Sequence, residues 1–229
     1  MARWRGSGIA RASWQLMAGL GLSLAGATVL AGEVRVQVLD ADGEPVEKAA
    51  VVVRAIDALP ERLAAGQAVI DQVDQEFVPS AIAVPVNTRI LFPNNDDIRH
   101  HVYSFSEAKS FELPLYEGEP PRPIEFPNPG IVTIGCNIHD WMRAHIYVVD
   151  SPWYGLTDGN GAWRVSGLPA GEYQYRVEVW HHGLAEERQT VGEVGLERGG
   201  AAEVQAVVEI EAAPVPRRTP RRDRYRRYP

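Results

Sequence analysis

The chain has 229 residues, which is enough for one large or two small domains with an apolar core. Its formal net charge is −7, and the two ends contribute three and six net positive charges, which leaves −16 for residues 32–211. So acidic a body excludes nucleic acid as a natural partner and favours docking with a basic protein.

The first 31 residues have the pattern of a cleaved export signal. Three Arg residues precede an uncharged apolar stretch from Leu16 to Leu30, and Val29-Leu30-Ala31 gives a signal-peptidase pattern. A membrane anchor is the weaker interpretation, because the stretch is short for a span and no strong basic flank follows it. The sequence therefore predicts a signal peptide at 1–31, a periplasmic protein and no membrane span after cleavage.

Between the two ends, short apolar runs bounded by Gly, Pro, Asn and Asp recur, and helical periodicity is almost absent. So many short strands predict an all-β fold, either a Greek-key sandwich or a barrel. In chain order, the predicted strands are 34–38, 50–55, 68–72, 80–86, 88–93, 101–105, 131–135, 144–149, 162–166, 172–180 and 203–210.

Residues 32–211 contain two types of sequence. The outer strands carry dense turn signals, and they resemble carboxypeptidase regulatory-like repeats at Asp40 to Pro45 and at Thr157 to Gly161. The outer blocks either form a separate sandwich or extend one sheet. The sequence predicts these segments: an N-terminal β segment at 32–67, a central metal-binding domain at 68–150, a C-terminal regulatory-like β segment at 151–211 and a disordered basic tail at 212–229.

The chain has a single cysteine, Cys136, which excludes an internal disulfide. It follows a predicted strand, and His139 and Met142 follow it at intervals of three residues. A thiolate, an imidazole and a thioether in so short a loop can surround one metal ion. With a second imidazole they form the ligand set of a copper electron-transfer site, and the adjacent His100 and His101 are the candidates for it.

In these motifs the chain resembles the cupredoxin superfamily, and specifically the cupredoxin-like proteins described as methylamine utilisation proteins. In that family the leading histidine of a His-Asn-Val or His-His-Val step binds the metal. The matching motifs are Phe77-Val78-Pro79, Val84 to Thr88, Phe92-Pro93-Asn94-Asn95-Asp96, His100 to Ser106, Pro129-Gly130 and Gly135 to Asp140. The resemblance thus implies a cupredoxin-like domain with one copper ion, and its ligands would be His100, Cys136, His139 and Met142, with His101 and Asn137 around them.

The spacing of Met142 departs from plastocyanin-like proteins, because only two residues separate it from His139. This step looks like the binuclear copper loop of cytochrome oxidase, but a single cysteine excludes a thiolate-bridged pair of ions. Other interpretations of the motif are an inert core cysteine, a thiol nucleophile and a zinc site. We expect His145 to be a surface residue, and His181 and His182 to be structural or exposed.

These observations predict an electron-transfer protein without catalytic turnover of its own. The family label suggests amine oxidation, with a c-type cytochrome or a quinoprotein dehydrogenase as the redox partner. One alternative is a copper carrier or storage protein. Another is a metal-free interaction module built on the outer strands, in which Cys136 has no role.

Overall fold

The structure is a computed structural model that describes residues 31–56, 63–120, 122–171, 173–186 and 188–211. The predicted signal peptide, apart from Ala31, and the predicted tail at 212–229 lie outside these ranges. The described residues form strands and no helix, which confirms the all-β prediction. Within the same ranges, no helix has the length and apolar character needed to cross a bilayer.

Seventeen strands occur in the described part of the chain. They are β1 (Gly32–Asp40), β2 (Ala50–Ala55), β3 (Gln67–Val69), β4 (Asp71–Val73), β5 (Glu76–Val78), β6 (Ala81–Pro85), β7 (Thr88–Leu91), β8 (His100–Phe105), β9 (Ser110–Tyr116), β10 (Ile124–Phe126), β11 (Gly130–Gly135), β12 (Arg143–Val149), β13 (Trp153–Leu156), β14 (Ala162–Leu168), β15 (Gln174–Trp180), β16 (Arg188–Gly195) and β17 (Ala201–Val208).

The strands near the two ends of the described chain form one sandwich, which we call the outer sandwich. The sheet β14-β1-β17 packs against the sheet β13-β2-β15-β16. Strand β1 pairs in parallel with β17 and antiparallel with β14, so the first and the last strands of the described residues share one sheet. Its core is almost entirely aliphatic, and includes Val34, Val51, Leu168 and Val177, all fully buried.

The central strands form a second sandwich, which we call the central sandwich. The five-stranded sheet β6-β12-β11-β8-β9 packs against the sheet β10-β7-β3, and the hairpin β4-β5 adds Phe77 to the same core. This core also contains Cys136 and Met142. The predicted strand at 68–72 is wrong as one element, because β3 pairs with β7 whereas β4 pairs with β5.

A third apolar cluster joins the two sandwiches. Side chains alternate between the faces of a strand, so β2 sends Val51 and Val53 into the outer core and Ala50 and Val52 to the other side. There Ala50 and Val52 meet residues of the central sandwich around the fully buried Trp180. The cluster consists of Ala50, Val52, Ala81, Ile131, Tyr147, Val149 and Trp180.

The pairing of β8 with β11 determines where the functional side chains meet. These strands run antiparallel, and Gly135 at the end of β11 pairs with Tyr103 of β8. The residue that follows β11, Cys136, therefore lies at the end of the sheet where β8 begins with His100.

Candidate metal site

Three metal-binding side chains converge at this end of the central sandwich. The ligand atoms of His100, Cys136 and His139 all lie within 4.8 Å of one another. The Cys136 sulfur is 3.9 Å from Nδ1 of His100 and 3.9 Å from Nδ1 of His139. The imidazole rings of the two histidines are 5.0 Å apart and meet edge to face. Within the described residues, this is the one such group of three.

The burial of these side chains differs. His100 is fully buried and Cys136 is nearly so, whereas His139 is half-buried. The site therefore opens to solvent on the His139 side, next to Ile138, whose side chain is 49% exposed.

Met142 is held close to Cys136 by the backbone of the loop. The Cys136 amide donates to the Met142 carbonyl at 3.3 Å, and the Met142 amide donates to the His139 carbonyl at 3.0 Å. The Met142 side chain is buried in the same apolar core as Cys136. Backbone hydrogen bonds thus connect the two ends of the 136–142 loop, and the thioether of Met142, the predicted fourth ligand, is buried in the domain.

Asp96, which the sequence analysis did not single out, orients His100. Its Oδ2 lies 2.6 Å from Nε2 of His100. Burial alone would raise the pKa of Asp96, but hydrogen bonds from the amides of Gln75 and Asp74 and from His100 outweigh it and lower that pKa. Asp96 is therefore an ionised partner for Nε2 of His100, and Nδ1 is the ring nitrogen that faces the sulfur.

The loop that carries Asp96 is fixed by Asn94, another buried residue without a predicted role. The Asn94 side chain donates to the carbonyls of Ile98 and Tyr116 at 2.9 and 2.8 Å, and accepts from the Asp96 amide at 3.1 Å. Gln72 holds the preceding segment by donating to the carbonyls of Phe92 and Pro93 and to the Tyr116 hydroxyl.

The two residues expected around the ligands occupy different surroundings. His101 is buried and its Nε2 lies 2.9 Å from Oε1 of Glu112 on β9, on the other side of the strand from the site. Its Nδ1 is also buried, and no described residue provides it with a hydrogen bond. Asn137 is exposed in the ligand loop. The supporting roles of both residues stay predictions.

The expectation that His145 is a surface residue is wrong. Its side chain is 9% exposed, because the ring stacks at 3.6 Å on His182 and its Nδ1 lies 3.0 Å from the Thr133 hydroxyl. His181 is buried beside it, and His182 is exposed. These three imidazoles lie where the two sandwiches meet and do not belong to the group around Cys136.

No protein-family model matches the chain, and no curated protein matches it. Among solved structures, the chain is similar to a reduced copper(I) form of an amicyanin mutant, with 17% identity over 42% of this chain and 98% of that one, and a TM-score of 0.34. It is also similar to a purple cupredoxin from Nitrosopumilus maritimus, with 20% identity over 37% of this chain and 99% of that one, and a TM-score of 0.31.

A copper-containing nitrite reductase from Thermus scotoductus is 23% identical over 50% of this chain and 28% of its own length, with a TM-score of 0.34. None of these three proteins is named for methylamine utilisation, so that link stays a proposal.

The donor atoms themselves fit a single transition-metal ion. Two separations of 3.9 Å around the sulfur leave room for an ion at about 2.0–2.3 Å from each atom, the usual length of metal–nitrogen and metal–sulfur bonds. The set combines one thiolate with two imidazoles, and a buried thioether follows in the same loop. Two imidazoles and a thiolate with a weak axial thioether are the ligands of mononuclear copper electron-transfer sites.

Proposed function

We propose that this chain is a mononuclear copper protein that transfers electrons. His100, Cys136 and His139 would be the strong ligands, and Met142 would be a weak fourth one. The observation that carries the proposal is the convergence of the three donor atoms within 4.8 Å at the buried end of a β-sandwich. When bound, copper would supply a one-electron couple between its two oxidation states.

Copper suits this donor set better than zinc. Structural zinc sites have four strong ligands, and catalytic zinc sites have three strong ligands with an open position for water. Here the fourth candidate is the buried Met142, which is 1% exposed and offers a soft, weak donor in place of water. Soft thiolate and thioether ligands favour copper.

Burial favours electron transfer over copper carriage or storage. A carrier must release its ion to a partner, which requires ligands that the partner can approach. His100, Cys136 and Met142 are 0%, 3% and 1% exposed. The chain holds these ligands in place by hydrogen bonds and packing, so that little rearranges when the charge of the site changes.

The half-buried His139 marks the side on which electrons would enter and leave. Its neighbours in the chain, the apolar Ile138 and the acidic Asp140, are exposed. The Trp141 ring that packs against His139 is bonded to the Gln75 carbonyl, and Gln75 lies between the exposed acidic residues Asp74 and Glu76 of the β4-β5 hairpin. A partner with an apolar centre and a basic rim would complement this surface. A c-type cytochrome or a quinoprotein dehydrogenase is the partner that we propose, in a periplasmic pathway of amine oxidation.

A spectroscopic experiment tests the proposal. Copper(II) added to the metal-free protein should bind at one ion per chain and give an intense thiolate-to-copper absorption in the visible range. Cys136→Ser should abolish this absorption while the β-rich circular dichroism persists. The matched control is His182→Ala, which removes an exposed imidazole outside the donor group and should leave the absorption unchanged.

A colourless wild-type protein would contradict the copper proposal. So would a Cys136→Ser variant that keeps the visible absorption. If Cys136→Ser left every function of the protein in the cell unchanged, the metal-free interaction module would be the better interpretation.

A further inference from the structure

The tight turn of the hairpin β4-β5 touches the segments that carry both histidine ligands. Its two central residues, Asp74 and Gln75, have φ values of 53° and 61°. A two-residue hairpin loop with positive φ at both positions is a type I′ turn. Neither residue is glycine, so the hairpin contacts on both sides must hold this conformation.

On one side, the turn is bonded to the partner of His100. The Asp74 amide donates to Oδ1 of Asp96 at 2.6 Å, and the Gln75 amide donates to Oδ2 at 2.8 Å. The same Oδ2 accepts from Nε2 of His100 at 2.6 Å. Both carboxylate oxygens are thus fixed by the backbone of the turn, and the orientation of the His100 ring follows from theirs.

On the other side, the turn is bonded to the neighbour of His139. The Gln75 carbonyl accepts from the indole N–H of Trp141 at 3.1 Å. The Trp141 ring packs against the His139 ring with their centres 5.1 Å apart. The amide and the carbonyl of a single residue, Gln75, therefore serve the two histidines at once.

The hairpin is itself fixed to the domain, so it can act as a rigid reference. Phe77 of β5 is buried in the central core. Gln72 of β4 is fully buried and bonded to the carbonyls of Phe92 and Pro93. The turn, by contrast, is near the surface, with Asp74 exposed and Gln75 half-buried.

We propose that the Asp74–Gln75 turn is a positioning element that sets the orientation of both histidine ligands through its backbone, by way of Asp96 on one side and Trp141 on the other. The inference rests on the proposed function of the site, which it deepens. It assigns positioning roles to Asp96 and Trp141, and it makes the geometry of the donor set depend on a hairpin more than twenty residues away from His100 in sequence.

Two variants break one link each. Asp96→Asn removes the ionised acceptor, and Trp141→Phe removes the indole N–H while it keeps an aromatic ring against His139. In the metal-free protein, the imidazole nitrogen signals in NMR spectra should shift for His100 in the first variant and for His139 in the second. In the copper form, Asp96→Asn should weaken copper binding by about 10- to 100-fold, the usual effect of losing a residue that orients a metal ligand. Trp141→Phe should shift the visible absorption.

The matched control is the double variant Asp74→Asn with Gln75→Gly. It replaces both side chains at the turn but keeps both amides, the carbonyl and the preferred residues of a type I′ turn. Imidazole signals and visible absorption should equal those of the wild type.

Imidazole signals unchanged by both Asp96→Asn and Trp141→Phe would overturn the positioning role. Altered signals in the double variant would show that the side chains act rather than the backbone, and would overturn it as well. A wild-type protein that stays colourless with copper(II) would refute the proposed function separately, because the NMR comparison uses the metal-free protein.

Discussion

The two sandwiches differ in the polar side chains that they bury. The apolar cluster of the outer sandwich is aliphatic apart from Tyr175, whose hydroxyl reaches the Pro169 carbonyl at 2.6 Å. Its buried hydroxyls, those of Ser151 and Thr157, bond separately to the backbone carbonyls of nearby residues. The central sandwich buries a connected polar group around one end of its sheet. It consists of Gln72, Asn94, His100 and, partly exposed, Asp96.

This difference separates a structural part of the chain from a functional one. A buried polar group without a hydrogen bond lowers the stability of the folded state by roughly 1–3 kcal/mol. Several buried polar groups in one place therefore indicate a role other than stabilising the fold. In the central sandwich, Asp96 is bonded to His100, and Asn94 is bonded within the loop before it. The outer sandwich instead supplies a packed neighbour for β6, β11 and β12 through the cluster around Trp180.

The largest effect should come from the adjacent histidines of β8. Neighbouring strand residues point to opposite faces, and the structure directs His100 at Cys136 and His101 at Glu112. His100→Asn should therefore lose the stable copper(II) site. His101→Asn should keep the visible absorption, with at most a shifted potential.

The spectra of the two variants and their copper retention during dialysis provide the measurement. If His101→Asn bleached the protein and His100→Asn did not, the face of β8 assigned to the metal would be the wrong one. The connected polar side chains of the central sandwich would then have a structural role, like the hydroxyl of Tyr175.

A pair of cavity variants tests whether the two cores have different consequences for the site. Leu168→Ala in the outer core and Ile134→Ala in the central core each empty a fully buried position, and each should lower the free energy of unfolding by about 2–5 kcal/mol. Urea unfolding of the metal-free proteins measures this. Only Ile134→Ala, two residues before Cys136, should also shift the visible absorption of the copper form.

An equal spectral shift in both variants would contradict the separation of roles. It would mean that the outer sandwich transmits its packing to the ligands through the cluster around Trp180.

The sequence predicted the strands and side chains that have strong local signals. Alternating apolar runs predict β1, β8, β11 and β12 close to their observed bounds. Strands β9 and β16 carry no such signal, because both lie at sheet edges, where Pro114 and two glycines are tolerated and half of the side chains face water. Which side chains of an edge strand are buried depends on the sheet that packs against it, and a local sequence pattern does not contain that information.

The same limit applies to the site. The donor residues could be picked out because thiolate, imidazole and thioether lie in one short motif, and because a leading histidine binds the metal in the family that the motifs resemble. The bond from Asp96 to His100 could not, since the three residues between them follow a loop shaped by Asn94 and by the distant turn at Asp74 and Gln75. Long-range backbone contacts of this kind leave no periodicity in the sequence.

The smallest predicted effect concerns the three histidines at the boundary of the sandwiches. His145 of β12 stacks on His182 at 3.6 Å, and His181 lies 4.2 Å from His182. Burial, followed by the charges of His182, His181 and Arg143, lowers the pKa of His145 to about 3. Burial and the charge of His182 lower the pKa of His181 to about 4. The cluster is therefore neutral in the folded protein at neutral pH.

The sign of the pH dependence follows from these depressed values. An unfolded histidine has a pKa of about 6.5, so below that pH the unfolded chain binds protons that the folded chain excludes. The contribution of His145 to stability is complete above pH 6.5 and is lost as the pH falls toward 3, by at most about 1.4 kcal/mol per pH unit. Urea unfolding of the metal-free protein at pH 7 and pH 5 should show a smaller difference in His145→Gln than in the wild type, because glutamine does not titrate. Equal differences in the two proteins would mean that His145 is protonated in the folded state, and that the boundary between the sandwiches accommodates a charge as readily as water does.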